Sequence, residues 1–336
     1  MSDKEKQLEN NDVQNREREL SSIDRLFRDV KMYRNSEEFM KKLDFYASFP
    51  YLGVYNAELV DQQRPGARLV LTAKKWEKLH HRKIKPNARP VIILVPFYPV
   101  EFLFDISDTM PSNEYITDDD RTIEWIINKH KASCIHDLGF YFRKLKDNLA
   151  KHGIFYDDTY VTGSEINAEI REDQTYQLSV KINKDHSVLH KNYFTISVNW
   201  KANRAEQLAS ISHELGHLFC HHIQTPWWKS RPSLTTEVKE FEAETVSYLV
   251  CERLGIETKS AEYLANYVYD NEEIPDISVD FVFRAVDMVQ QVISGYLDVT
   301  DALMYKHDEM FKTKVDKEKE RIRQEKEREK ALKQEL

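Results

Sequence analysis

The sequence is poor in cysteine and in long hydrophobic runs, and its overall charge is not basic. Three cysteines in 336 residues, far apart and odd in number, exclude a disulfide framework and fit a reducing cytoplasm. No apolar run approaches the roughly 20 residues of a membrane-spanning helix, and the polar N-terminal segment has no secretory signal. A net charge of −8 argues against a protein that is basic all over, but a local basic patch is compatible with it. These absences predict a cytoplasmic protein without a membrane segment.

What is present indicates a globular α+β protein. Hydrophobic residues make up 41% of the chain, and its length allows one large or two ordinary domains. The segment "DTMPSNEYITDDD" has turn chemistry and no periodicity, so the domain boundary is placed there. The predicted organisation is a flexible lead-in over 1–20, a smaller α+β domain over 21–110, a second domain over 121–310 and a charged tail over 311–336. In the tail, opposite charges alternate at helical spacing without an apolar seam, which favours a solvated helix.

Hydrophobic periodicity gives a coarse secondary structure for both domains. In the first, "SEEFMKKLDFYASF", "YNAELVDQQRPGA" and "AKKWEKLHH" favour helices, and "RLVLT" and "RPVIILVPF" favour strands. In the second, helices are predicted near 123–130 and 138–152, followed by the strands "YQLSVKIN" and "YFTISVNW". A long helix then carries the segment "LASISHELGHLFCHHI", and the rest is predicted to be mostly helical.

This long helix contains an HExxH pattern formed by His213, Glu214 and His217. Two histidines four residues apart project from one face of a helix, so both imidazoles can reach one metal ion. Glu214 lies beside them, where it could hold a metal-bound water and take its proton. The pattern arises by chance in roughly one chain of this size in a hundred, so its context matters. The preceding strand, "YFTISVNW", is expected to hold an extended substrate by strand addition.

A third ligand is predicted on the helix "EVKEFEAETVSYLVCERLG", where Glu240 and Glu244 lie four residues apart. Catalytic zinc takes three protein ligands and leaves one position for water, and we assign the third ligand to Glu240. Glu244, one turn further, is expected to accept the free N–H of a ligating histidine, such as His213. Glu242 should point away from both. Alternatively, Glu240 and Glu244 are surface residues of a charged helix.

Other residues near the motif have roles that the spacing leaves open. No residue here breaks the helix after His217, so His221 extends the histidine line by one turn, too far along to be a ligand. We expect it to be packed, or to be a hydrogen-bonding partner behind the ligands. Cys220 is expected to be a buried thiol. Trp227 and Trp228 either anchor the loop or wall a substrate cleft. An oxyanion-stabilising group could be one of three tyrosines, which the spacing does not separate: Tyr248, Tyr263 and Tyr267.

Residues 74–85, "KKWEKLHHRKIK", form a local basic segment with six Lys or Arg against one Glu. Positive charge with an exposed aromatic ring suits single-stranded nucleic acid, because phosphates are neutralised and a base can stack. The possible contacts are Lys74, Lys75, Trp76, Arg82 and Lys83. The competing interpretation is a solvated basic helix whose tryptophan faces the core.

Two family resemblances accompany these motifs. "ISVNWKANRAEQLASISHELGHLFCHH" and "EFEAETVSYLV" resemble the ImmA/IrrE family of metallopeptidases, except that Glu244 replaces the usual asparagine. ArdC-type antirestriction proteins are similar in this region. "YNAELVDQQRPGARLVLTAKKWEKLHHRKIKPNARPVIILVPF" and "FLFDISDT" also resemble their N-terminal domain, which binds single-stranded DNA. The turn at residues 85–89 departs from that family by lacking glycine.

These observations lead to a zinc-dependent endopeptidase as the expected function. The resemblance implies a zincin-like helical domain with a small sheet and a specific protein or peptide substrate, such as a repressor. An alternative is a single-stranded-DNA-binding, antirestriction-like protein in which the zinc domain is mainly structural. A third is a metal-free relative that uses the fold for protein contacts.

Overall fold

The computed structural model describes residues 35–95, 100–113, 118–151, 153–158, 168–173, 177–181, 187–225, 228–256, 258–295 and 321–324. The predicted lead-in lies outside the described residues, as does the predicted tail except for residues 321–324, which are helical. The described chain is a mixed α+β structure, as predicted. Within these ranges, no helix has both the length and the apolar character needed to cross a bilayer.

Helices carry most of the described chain. They are α1 Ser36–Ala47, α2 Val54–Gln63, α3 Ala73–His80, α4 Asp120–Ser133, α5 Leu138–Lys151, α6 Arg204–Phe219, α7 Thr236–Arg253, α8 Lys259–Asp270 and α9 Val279–Ser294. The strands are β1 Val70–Leu71, β2 Arg82–Ile84, β3 Val91–Ile93, β4 Glu101–Asp105, β5 Thr109–Pro111, β6 Ile154–Asp157, β7 Ala168–Glu172, β8 Gln177–Lys181, β9 Ser187–Lys191 and β10 Phe194–Val198. The predicted helices are confirmed to within a few residues, whereas several short strands were not predicted.

The strands form small sheets. In the first half of the chain, β4 pairs antiparallel with both β1 and β3, and β2 pairs with β5. In the second half, β10 lies in the middle of a three-stranded sheet, parallel to β6 and antiparallel to β7. Strand β10 is buried throughout, whereas β7 ends in exposed residues. This sheet packs beside α6 through β7.

The helices around the HExxH motif have well-defined starts. Helix α6 begins with a capping box, in which Asn203 and Glu206 each bond the backbone N–H of the other. Thr235 caps α7 and Ser278 caps α9 through their hydroxyl groups. Helix α6 then packs along α7, and α9 packs against both. The capped starts therefore define where α6 and α7 begin.

One hydrophobic core joins the two predicted domains. It extends from Phe39 on α1 to Ile293 on α9 and includes apolar residues of α6 and α7. Polar contacts cross the same boundary: the backbone N–H of Val54 donates to Asp287, and the hydroxyl of Tyr248 donates to Asp44 at 2.5 Å. A second, smaller cluster, with Trp76 and Ile126 among its buried members, also includes residues from both sides of the predicted boundary near residues 108–120.

Candidate metal centre

The three predicted metal ligands meet between α6 and α7. The Nε2 atoms of His213 and His217 are 3.0 Å apart. Glu240 places one carboxylate oxygen 3.4 Å from Nε2 of His213 and the other 3.6 Å from Nε2 of His217. The ligand atoms lie within 4.8 Å of one another, so this group could hold a metal ion. Glu240 is not turned away into solvent, as it would be if it were merely a surface residue of α7.

A close helix contact explains how Glu240 reaches the histidines. Gly216 lies within α6, and a Cβ added there would meet the Cα of Ala243 at 3.2 Å and its carbonyl oxygen at 3.3 Å. The absence of a side chain lets the α7 backbone approach α6 at this point. Since Ala243 lies between Glu240 and Glu244, the approach brings both carboxylates to the histidine face.

Glu244 has the predicted place behind His213. Its carboxylate lies 3.2 Å from Nδ1 of His213, whose Nε2 faces Glu240. Burial by itself lowers the pKa of His213, but hydrogen bonds to Glu240 and Glu244 outweigh it and raise the pKa to about 10. The pKa of Glu240 is held well below its usual range by its hydrogen bonds to His213 and His217. A divalent cation would compete with the shared proton for the same atoms.

Glu214, next to His213 in α6, contacts the sheet. Its carboxylate accepts a hydrogen bond from the backbone N–H of Ile170 in β7 at 3.2 Å. Burial raises the pKa of Glu214, which favours its use as a base near neutral pH. The strand beside the motif helix is thus β7, and the prediction that "YFTISVNW" holds the substrate is wrong. That segment forms β10, which has a partner on both sides.

A cavity of about 660 Å³ opens beside His213 and Glu214. Ala168 of β7 and residues of α6 and α8 line it, and Tyr263 is among them. The other two candidate tyrosines are engaged elsewhere. The hydroxyl of Tyr248 donates to Asp44, and that of Tyr267 donates to Glu237 at 3.1 Å. Of the three tyrosines, Tyr263 is thus the one that lines the cavity.

His221 does not continue the histidine line. Helix α6 ends at Phe219, and His221 has a left-handed backbone with φ of 60°. Its ring stacks on Trp228 with centroids 4.5 Å apart, and burial lowers its pKa to about 3. The expectation of a packed histidine is confirmed, whereas a role behind the ligands is wrong for His221. Trp228 anchors the loop in this way, and Trp227 lies outside the described residues.

The neighbouring residue, His222, occupies the position behind the ligands that was considered for His221. Its Nδ1 lies 2.8 Å from Nδ1 of His217, and its Nε2 lies 2.7 Å from Glu242. Glu242 is fully buried and pairs with Arg231 through both carboxylate oxygens, at 2.7 and 3.0 Å. Glu242 was predicted to point away, but it reaches the histidine cluster through His222. Nothing in the sequence indicates which of the adjacent residues His221 and His222 turns towards the metal ligands.

The predicted nucleic-acid contacts divide into two groups. Trp76 is fully buried and its indole N–H donates to the carbonyl of Phe104, so the interpretation that it faces the core is confirmed. Arg82 is 1% exposed and bonds Thr109 and Asp118. Neither side chain can stack on a base or bind a phosphate from these positions, so both assignments are wrong. The remaining three predicted contacts are exposed: Lys74, Lys75 and Lys83.

Comparison with known proteins gives one distant relative. The chain is 21% identical over 314 residues to an uncharacterized protein of Bacillus anthracis, a match that covers 83% of this chain and 50% of the relative. The chain therefore spans about half the length of the relative that it matches. No protein-family profile matches the chain, and no solved structure matches it.

Proposed function

We propose that this protein is a zinc-dependent endopeptidase with a zincin-like catalytic domain. The supporting observation is that His213, His217 and Glu240 converge on one point, with Glu214 beside them. Two imidazoles and one carboxylate are a frequent donor set for catalytic zinc, and three protein ligands leave a position for water. The resemblance of the same two helices to the ImmA/IrrE metallopeptidases agrees with this donor set.

Each residue then has a defined task. When bound, zinc supplies a water whose pKa is near 7 and polarises the scissile carbonyl. Glu214 would be the base that accepts a proton from the attacking water, which its raised pKa favours, and the acid that returns it to the leaving amine. Tyr263, which lines the cavity, donates a hydrogen bond from its hydroxyl group to the developing oxyanion.

The substrate is proposed to be an extended peptide that adds to β7. This strand pairs with β10 on one side, and its backbone N–H at Ile170 points to the side of Glu214. A peptide aligned on that side would pass the cavity next to His213. We propose a specific regulatory protein, such as a repressor, as the natural substrate, on the strength of the family resemblance.

Single-stranded DNA binding has less support. The buried positions of Trp76 and Arg82 remove the proposed stacking ring and one phosphate contact. Exposed lysines remain on α3 and β2, and lysines alone give salt-dependent, non-specific binding. This alternative remains distinguishable, because it predicts that Glu214 is dispensable for function.

The variant Glu214→Gln tests the proposed function. Glutamine keeps an oxygen that can accept from Ile170, but it is not a base. We expect one zinc per chain in wild type and variant, and a loss of peptide cleavage of at least about 100-fold in the variant. Cleavage is measured on a proteome-derived peptide library, and metal content by atomic spectrometry. Wild-type protein without zinc, or a variant that cleaves as fast as wild type, would contradict the proposal.

A further inference from the structure

The residues behind His217 form a chain of hydrogen bonds that leads away from the metal centre. The chain runs from His217 through His222 to Glu242 and ends at Arg231. Side chains of His222 and Glu242 are 2% and 0% exposed, and that of Arg231 is 18% exposed. We propose that this chain fixes the tautomer and orientation of His217, so that His222 is a positioning residue for the metal site.

The direction of each hydrogen bond follows from the donor and acceptor inventory. An ionised carboxylate only accepts, so Nε2 of His222 must carry the proton that is donated to Glu242. In the neutral imidazole of His222, Nδ1 is then an acceptor, and Nδ1 of His217 must donate to it. This arrangement leaves the Nε2 lone pair of His217 available, on the side where Glu240 and His213 lie.

Glu242 is held firmly enough to set this direction. It accepts two hydrogen bonds from Arg231, one from His222 and one from the backbone N–H of Ser278 at 2.7 Å. Ser278 caps α9, and Arg231 also donates to the carbonyl of Cys220 at 3.1 Å. The end of α6, the following loop, α7 and the start of α9 therefore meet at one carboxylate.

A second metal ion is the competing explanation, because Cys220, His222 and Glu242 also have ligand atoms within 4.8 Å of one another. The hydrogen bonds favour the chain instead. A carboxylate has about four lone-pair sites, and the four donors at Glu242 occupy all of them. The guanidinium of Arg231 already supplies the positive charge that a cation would bring.

This inference rests on the proposed function, since it requires a metal at His217. It adds that His213 and His217 are each oriented from behind, His213 by Glu244 and His217 by His222. Partners of this kind typically change metal affinity by about 10- to 100-fold when they are removed.

Two amide substitutions at His222 separate the contacts of its two nitrogens. In His222→Asn the amide oxygen takes the place of Nδ1 and can still accept from His217. In His222→Gln the amide takes the place of Nε2, so the contact with Glu242 is kept and the acceptor for His217 is lost. We expect zinc affinity to fall about 10- to 100-fold in the glutamine variant and less than about threefold in the asparagine variant.

Zinc affinity is measured by competition with a chromophoric chelator, and the cobalt-substituted proteins are compared by visible absorption. The matched control is His221→Asn, because His221 stacks on Trp228 and tolerates a left-handed backbone as asparagine does. Its zinc affinity should equal that of wild type. Thermal unfolding of the metal-free variants verifies that each one folds.

The outcomes distinguish this inference from the proposed function. Wild-type protein that binds no zinc overturns both. Wild-type protein that binds one zinc and cleaves peptide, with unchanged affinity in His222→Gln, overturns the positioning role alone. Two zinc ions per wild-type chain, reduced to one in both His222→Gln and Cys220→Ser, would make the cluster a second metal site and also overturn it.

Discussion

Hydroxyl partners distinguish the three tyrosines that follow the HExxH helix. Tyr248 is held by Asp44 of α1, and Tyr267 is held by Glu237. Tyr263 lines the cavity, and burial together with the charges of Glu244 and Glu240 raises its pKa. Its hydroxyl is therefore protonated at neutral pH and can donate to an oxyanion.

We predict that Tyr263→Phe lowers kcat about 100-fold with little change in KM, because the lost hydrogen bond is made chiefly in the transition state. Steady-state cleavage of a peptide selected from the library measures both constants. The control is Tyr267→Phe, which removes a hydroxyl outside the cavity and should leave kcat within about twofold of wild type. Equal kcat values for Tyr263→Phe and wild type would exclude this role.

At the scale of single residues, the metal ligands were easier to predict from the sequence than the residues that hold them in place. The i,i+4 spacing of His213 and His217 is sufficient to place both rings on one helix face. The inward turn of His222 depends on the end of α6 at Phe219, and no glycine, proline or asparagine marks that end. Arg231 and Glu242 are 11 residues apart, on either side of the start of α7, so no helical or strand spacing relates them and their pairing has no local pattern.

At the scale of elements, the metal centre depends on the distance between α6 and α7. Gly216 faces the backbone of Ala243, and a Cβ at this position would also meet the side chain of Val246 at 3.3 Å. A backbone atom cannot rotate away as a flexible side chain can, so a larger residue at 216 must push the two helices apart. Since Glu240 is carried by α7, its distance from the histidines of α6 would increase.

We predict that Gly216→Val lowers the free energy of unfolding of the metal-free protein by about 1–3 kcal/mol, because the packed interface has no space for the added methyl groups. Zinc affinity should fall as well, since one of three ligands is displaced. Denaturant unfolding and chelator competition measure the two effects. A variant of Gly216 that binds zinc as tightly as wild type would show that Glu240 does not depend on this contact.

Strong periodicity made the helices predictable, whereas the short strands beside them were not. The amphipathic patterns of α1 and α5 match the observed bounds closely, whereas α6 ends at Phe219, four residues before the end of the predicted segment. Strand β7 has the sequence AEIRE, and its polar residues are typical of a loop. Its extended form comes from pairing with β10, which follows β7 in the chain. This pairing is a tertiary contact that no local sequence pattern predicts.

At the scale of the whole molecule, the first two helices are part of the same packed structure as the metal centre. Phe39 of α1 packs on Phe241 of α7 with ring centroids 6.0 Å apart. Arg253 at the end of α7 donates to the carbonyl of Phe49 at 3.1 Å. Phe241 lies next to Glu240 in the sequence, so α1 supports the helix that provides the carboxylate ligand.

We therefore predict that zinc stabilises α1 and α2 as strongly as α7. At a free zinc concentration about 100 times Kd, binding adds about 2.7 kcal/mol to the free energy of global unfolding. Hydrogen exchange followed by mass spectrometry should show this increase for the slowest amides of all three helices. An increase confined to α6 and α7 would contradict a shared cooperative unit.

The hydrogen bond from Ile170 to Glu214 also has a consequence for solubility. Open strand edges with unpaired N–H groups tend to recruit further strands, and the Glu214 carboxylate occupies the N–H of Ile170 while no substrate peptide is bound. Truncation of this side chain to alanine would remove the acceptor of the Ile170 N–H as well as the base. A loss of peptide cleavage that is caused by aggregation of this variant would then be mistaken for the effect of the missing base.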